Sequence, residues 1–194
     1  MIISISGSHG SGKSTIAKMI AEKLNWPRYY MGGLRREAAQ KRGMTLAEYN
    51  KLGESDPSTD LEVDNYQKEL GKTKDNFIIE GRTSWYFIPN SLKIYIEASF
   101  KTGAERIFKQ LQKENNRNED HNLNSIEAVL KSLEERYKSD QLRYKKYFNI
   151  DVYNLKNYDF VIATDNLNIE EVFEKVFTFI ANNKNKNKPL TKNK

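Results

Sequence analysis

A chain of 194 residues has room for one domain of ordinary size and is short for two. It contains no cysteine, which excludes a disulfide framework and a thiolate metal site and fits a reducing compartment, the cytoplasm by default. The formal net charge is +6, but five of the 32 basic residues lie from Lys184 onward; the other 27 face 26 acids, which argues against a basic face for DNA or RNA across the whole domain.

The first residues lack the basic head and long apolar middle of a secretory signal, and no segment approaches the roughly 20 apolar residues of a membrane span. Residues 2–6 form an apolar, β-branched run that predicts a buried strand. It feeds the loop "GSHGSGKST", after which Ile16, Ala17, Ile20, Ala21 and Leu24 mark one stripe of a helix over 14–24. A short strand near 29–31 leads through Gly32-Gly33 into a helical stretch with Leu34, Arg35 and Arg36. Thr45 with Glu48 three residues on is a capping box opening a second helix, Asp56-Pro57 breaks it, and "STDLEVDNYQKEL" resumes as helix. These helices exceed what a minimal crossover requires, and residues 33–72 are expected to form a cap over the sheet. Asp60 and Asp64 share one face of the last of them, where base or sugar contacts compete with a solvated acidic face.

Further strands are predicted at 76–80, 93–98 and 159–164, separated by helices over 100–112, 125–148 and 169–181, the last with Asn168 as N-cap and Glu171 at its third position. Strands alternating with helices predict an α/β fold with a parallel sheet covered on both faces. The polar run 113–124 has no apolar face and is a lid candidate. Residues 182–194, rich in Lys and Asn, are expected to be a disordered, solvated tail, or a weak polyanion contact.

Gly7, Gly12, Lys13 and Ser14 satisfy G-x-x-x-x-G-K-[ST], the pattern of a phosphate-binding loop between a strand and a helix. Glycine lets successive N–H groups turn inward around phosphate oxygens, and the helix N-terminus favours the anion. Gly7, Ser8, His9, Gly10, Ser11, Gly12, Lys13, Ser14 and Thr15 are therefore the ATP-binding candidates, with Lys13 on the β- and γ-phosphates and the Ser14 hydroxyl on Mg²⁺. His9 fills a variable position of the pattern and reads as a surface histidine. No guanine-reading Asn-Lys-x-Asp is present, and "NFIIEGR" ends in a single acid, Glu80, so a GTPase switch and a remodelling ATPase both lose support. Arg82, just past that strand, points to a second phosphate in the crevice at the strand ends. Arg136, Asp140 and Arg143 stand at i, i+4 and i+7 and border the apolar stripe of their helix, as phosphate-binding arginines or as an intrahelical salt-bridge set.

Taken in order, "ISGSHGSGKST", "MGGLRREAAQKRGMTLAEYNK" with "DPSTDLEVD", "IIEGR", "AERI", the "RxxxDxxR" of Arg136, Asp140 and Arg143, and "IDVYNLKNYDFVIAT" resemble the cytidylate kinases, specifically their short archaeal-type branch, over about residues 1–180. The resemblance implies a P-loop core with strand order 2-3-1-4-5, an acceptor-binding cap, a lid and transfer of the γ-phosphoryl of ATP to CMP or dCMP with Mg²⁺. By matched position it implies that Arg36 and Arg82 hold the acceptor phosphate, that Arg136 and Arg143 reach the phosphoryl groups, that Asp140 orients them and touches the acceptor sugar, and that Arg106 and the lid residue Arg117 lie on the donor side. A single-domain monomer, residues 1–181, is expected. Thr83 and Ser84 stand where the common bacterial pattern has a cytosine-reading aspartate. Competing readings are a kinase for another monophosphate such as UMP, and an ATP-gated factor that binds RNA or ribosomes through the lysine tail.

Overall fold

The computed structural model describes residues 1–113 and 118–186. Five strands, β1 (Ile2–Gly7), β2 (Arg28–Tyr30), β3 (Phe77–Glu80), β4 (Leu92–Glu97) and β5 (Phe160–Ala163), form one sheet in the order β2-β3-β1-β4-β5. Every pairing is parallel, with Ile3 opposite Ile78 and Ile5 opposite Glu80 across β1 and β3. The connections carry α1 (Lys13–Leu24), α2 (Met31–Lys41), α3 (Leu46–Gly53), α4 (Ser58–Thr73), α5 (Ser84–Phe87), α6 (Phe100–Leu111) and α7 (Ile126–Phe148), and α8 (Ile169–Lys186) follows β5. The expected α/β class and strand order are both present.

The strands are β-branched because both faces are covered. Ile3, Ile5, Ile78, Ile94 and Ile96 pack against Ile16 and Ile20 of α1 and Val176 and Ile180 of α8. Phe77 and Ile79, which alternate with Ile78, turn to the opposite face and meet Met31 of α2, Leu70 of α4 and Ile88. Each such fully buried side chain contributes about 1.5–3 kcal/mol relative to exposure. The two serines inside β1 are satisfied: Ser91 Oγ donates to Ser4 Oγ at 2.8 Å, and Ser6 Oγ donates to the Gly81 carbonyl at 2.6 Å.

Helix starts follow the sequence signals. Thr45 and Glu48 make the reciprocal capping box, and Asn168 and Glu171 do the same for α8. The four-residue α5 and a 3₁₀ turn at Leu155–Asn157 are too short to leave a periodic signal. Two expectations need correction. Helix α8 runs past residue 181 to Lys186, because Asn183 Nδ2 donates back to the Phe179 carbonyl at 2.8 Å and Lys184 Nζ lies over the Trp26 ring, 4.2 Å from its centroid. The tail expected from 182 therefore begins no earlier than 187, and 187–194 lie outside the described residues. The polar run is also tied down in part: the carbonyls of Asn118 and Glu119 accept from Leu46 N at 2.7 Å and Ala47 N at 2.9 Å, satisfying orphan donors in the first turn of α3. Residues 114–117, which include Arg117, lie outside the described residues. Among the described residues no helix is long and apolar enough to cross a membrane.

Candidate active site

Adjacent strands β1 and β3 end at the same edge of the sheet, so the loop after one and Gly81-Arg82 after the other face a common cavity of about 740 Å³. Gly10 and Gly12 have φ of 69° and 85°, left-handed values that a side chain would strain, and Gly12 is the N-cap from which α1 starts. The turn is held by Ser8, whose hydroxyl donates to the Ala98 carbonyl at 3.0 Å and accepts from Ala98 N at 2.7 Å. Lys13 Nζ donates to the Ser8 carbonyl at 3.1 Å, folded back over the loop that a phosphate would fill. The Ser14 hydroxyl donates to the Glu80 carboxylate, which is buried at the end of β3 and paired with Arg28 at 3.3 Å. Ser14 and Glu80 offer two hard oxygen donors beside the helix N-terminus, a set that fits Mg²⁺ arriving with a nucleotide.

Of the arginines that line this cavity, Arg36, Arg82 and Arg136 form one cluster. Arg82 extends from the end of β3, and its Nε lies 2.8 Å from Asp140 Oδ2 and donates to the Tyr153 hydroxyl at 3.2 Å. Its Nη2 donates to His9 Nε2 at 2.6 Å; arginine can only donate, so the imidazole is assigned the tautomer with its proton on Nδ1. Arg36 comes from α2 and Arg136 from α7, and one carboxylate, that of Glu119, bridges them with contacts of 2.6 and 2.7 Å. The Nε atoms of both are buried without a hydrogen-bond partner. Burial pushes Arg136 down to about 10, and the neighbouring cations Arg82 and Arg36 add to that shift against the pull of Glu119. The cluster holds more positive charge than its carboxylates offset, which is the electrostatic condition of an anion site.

Behind these arginines lies a second layer. Arg143 is fully buried and does not line the cavity: its Nη1 contacts Asp60 Oδ2 at 2.7 Å and its Nη2 contacts Asp140 Oδ1 at 2.6 Å. The expectation that Arg143 reaches phosphoryl groups is thus not met, since both ends of its fork are occupied by carboxylates. Asp140 is likewise set back from the cavity. Burial alone would raise its carboxyl, yet Arg82, Arg143 and Arg136 overcome that and hold it at about 2. Asp60 and Arg35 line the cavity themselves, but Asp60 is occupied by Arg35 and Arg143, and Arg35 also donates to Asn50 Oδ1 at 2.8 Å. Asp64, one turn further along α4, lines the cavity with no such partner among the described residues. Both aspartates are buried, which removes the reading of a solvated acidic face. His9 is buried too, only 5 % exposed, and the expectation of a surface histidine fails because Arg82, 73 residues away, folds onto its ring. On the far side of the cavity, Arg106 from α6 donates to the hydroxyl and carbonyl of Thr164 at 2.9 and 2.8 Å.

A family model described as the cytidylate kinase-like family matches residues 2–166. The chain belongs to that family. It is 38% identical over 187 residues to a cytidylate kinase of Methanocaldococcus jannaschii, covering 94% of this chain and 98% of the relative, and 36% identical over 162 residues to one of Methanococcoides burtonii, covering 84% and 86%. Among solved structures it is similar to an uncharacterized protein from Eubacterium ventriosum, with a TM-score of 0.67, 19% identity and coverage of 93% and 98%. It is also similar to a shikimate kinase from Aquifex aeolicus, with a TM-score of 0.55, 18% identity and coverage of 94% and 98%. At these identities the two structures establish the shared P-loop α/β fold. The family makes the chain an ATP-dependent kinase of the nucleoside monophosphate class.

Sequence reasoning missed several members of the site. Glu119 sits in a run without periodicity, and nothing local marks it as the carboxylate between two distant arginines. Tyr153 and Gln67 are common residue types whose partners come from other elements. Glu80 carried a signal, a lone acid at the end of a core strand beside the phosphate loop.

Proposed function

We propose that the protein transfers the γ-phosphoryl group of ATP to the phosphate of CMP or dCMP, giving ADP and CDP or dCDP. The observation that carries this reading is the convergence of Arg36, Arg82 and Arg136 on the cavity opposite the phosphate loop, with two buried Nε donors lacking partners. One phosphate cradle alone serves many nucleotide-binding proteins; a second basic cluster facing it suits a second phosphorylated substrate. The names of the curated relatives supply the cytosine.

In this reading the residues 7–15 and Lys13 hold the triphosphate, and Arg106 with Thr164 borders its nucleoside end. Arg36, Arg82 and Arg136 hold the acceptor phosphate and the transferring group, with Asp140, Arg143 and Tyr153 fixing the arginines from behind. An acceptor oxygen attacks the γ-phosphorus in line, and the bond to the β–γ bridging oxygen breaks. The transition state is loose, so catalysis is positioning and charge neutralisation, and no protein nucleophile takes part. Ser14 and Glu80 would hold Mg²⁺, which when bound would supply charge neutralisation to the triphosphate. The helices α2, α3 and α4 form the acceptor-binding cap. Incubation of the protein with ATP and CMP should yield CDP and ADP in equal amounts by anion-exchange chromatography. ADP appearing without CDP would make the protein an ATPase and remove this function.

A further inference from the structure

The acceptor half of the cavity has a basic end at Arg36, Arg82 and Arg136 and a second wall on α4, which the Asp60–Arg35 ion pair also lines. There Val63, Asp64 and Gln67 line the wall together with Thr83 from the turn after β3. Asp64 is 5 % exposed and carries no arginine or lysine in ion-pair contact among the described residues. The nearest guanidiniums are engaged elsewhere, Arg35 and Arg143 both being bound to Asp60. What touches Asp64 is a neutral amide: Gln67 Nε2 lies 3.4 Å from Oδ1. That amide is itself held in one orientation, since Gln67 Oε1 accepts from Ser84 Oγ at 2.6 Å and Nε2 donates to Thr83 Oγ1 at 3.1 Å. Among the described residues no hydrogen bond engages the second carboxyl oxygen of Asp64, a residue that lines the cavity.

A carboxyl in this setting gains by keeping its proton. The charged groups acting on it are Asp60 and Lys68 on its own helix, Arg35 from α2 and Arg143 from α7, while the turn leading into α5 contributes the neutral hydroxyls of Thr83 and Ser84. Burial and the Asp60 carboxylate prevail, and Asp64 is pushed up to about 7. A neutral carboxyl presents one donor and one acceptor side by side, whereas an ionised one presents acceptors only. The pairing edge of cytosine carries a ring-nitrogen acceptor beside an amino donor, so the neutral form matches both atoms. The ionised form would set a negative charge against the ring nitrogen's lone pair. The Gln67 donor turned toward Oδ1 favours that oxygen as the acceptor and leaves the proton to the other.

Resting on the proposed kinase function, we propose that Asp64 reads the pairing edge of the cytosine ring as a neutral carboxylic acid, with Gln67 and Ser84 fixing which oxygen donates. The test is the KM for CMP between pH 7 and 8.5, above the range in which the CMP phosphate titrates, in wild type, Asp64→Asn and Asp64→Ala. In wild type it should rise roughly 15-fold over that interval as the acid ionises, with little change in the KM for ATP. Asparagine keeps one donor and one acceptor without a titrating proton, so the Asp64→Asn profile should be flat and its KM at pH 8.5 lower than that of wild type. Asp64→Ala should be flat and raised at least tenfold at pH 7, with the preference for CMP over UMP reduced. A flat wild-type profile, or a pH dependence that survives in Asp64→Asn, overturns the assignment; so does Asp64→Asn losing as much affinity as Asp64→Ala. If CMP is not phosphorylated at any pH, the kinase reading fails instead, and the two failures are distinct.

Discussion

Asp140 and Asp64 are both buried aspartates, 2 % and 5 % exposed, yet the protein treats them oppositely. Asp140 lies among Arg82, Arg143 and the Tyr153 hydroxyl and is held at about 2; Asp64 lies beside another carboxylate and an amide and is pushed up to about 7. Burial acts in the same direction on both, so the difference comes from where the guanidiniums point. Arg143 and Arg35 turn to Asp140 and Asp60, and neither turns to Asp64. The consequence is a division of labour: one carboxylate is a fixed negative charge that orients phosphate-binding arginines, and the other is a polar surface able to face a neutral ring.

The largest effects should come from the phosphate end. Lys13→Ala should abolish transfer, and Arg136→Ala should lower kcat by about a thousandfold or more while circular dichroism stays that of the native fold. Near-normal turnover in Arg136→Ala would reduce that arginine to a partner for Glu119 and dissolve the contrast between the two ends. Next in size is Asp140→Asn, which leaves two arginines buried beside a neutral amide and should cost about 3–5 kcal/mol in urea denaturation at pH 7. Since the Asp140 carboxyl is depressed from its ordinary value of 3.8 to about 2, its pH-linked contribution is complete above the first value and is lost as pH falls through the second, so the gap between mutant and wild type should narrow by about 2.5 kcal/mol over that window.

Smallest, and opposite in sign, is Asp64→Asn. A carboxyl raised from 3.8 to about 7 keeps in the folded state a proton that the unfolded chain releases, so its ionisation lowers stability progressively as pH climbs through that window. The variant should match wild type below pH 4 and be more stable by about 2–4 kcal/mol above pH 7. Destabilisation of both variants at pH 7 would show that Asp64 is a buried charge with a hidden partner, and the comparison would collapse.

The sequence made the fold legible because the strands are apolar on both faces and the helix starts carry recognisable caps. Arg82 and Arg136 were legible as well, one from its place at a strand end and the other from bordering an apolar stripe. The remainder depends on which residues meet in three dimensions. Asp60 and Asp64 share a helix face at a spacing of four, and no local signal says that arginines from two other helices select the first and pass over the second. His9 was misassigned for the same reason, and Glu119 was invisible because its partners lie 17 and 83 residues away.

The central claim is that the basic end of this cavity holds a nucleotide whose base is cytosine. Its most direct test is kcat/KM at pH 7 with ATP and Mg²⁺ across CMP, dCMP, UMP, AMP, GMP and shikimate, measured by ADP release. The account predicts that CMP or dCMP leads the series by at least an order of magnitude and that Lys13→Ala abolishes all turnover. Preferred turnover of a purine monophosphate, of UMP or of shikimate, with CMP at background, would contradict it.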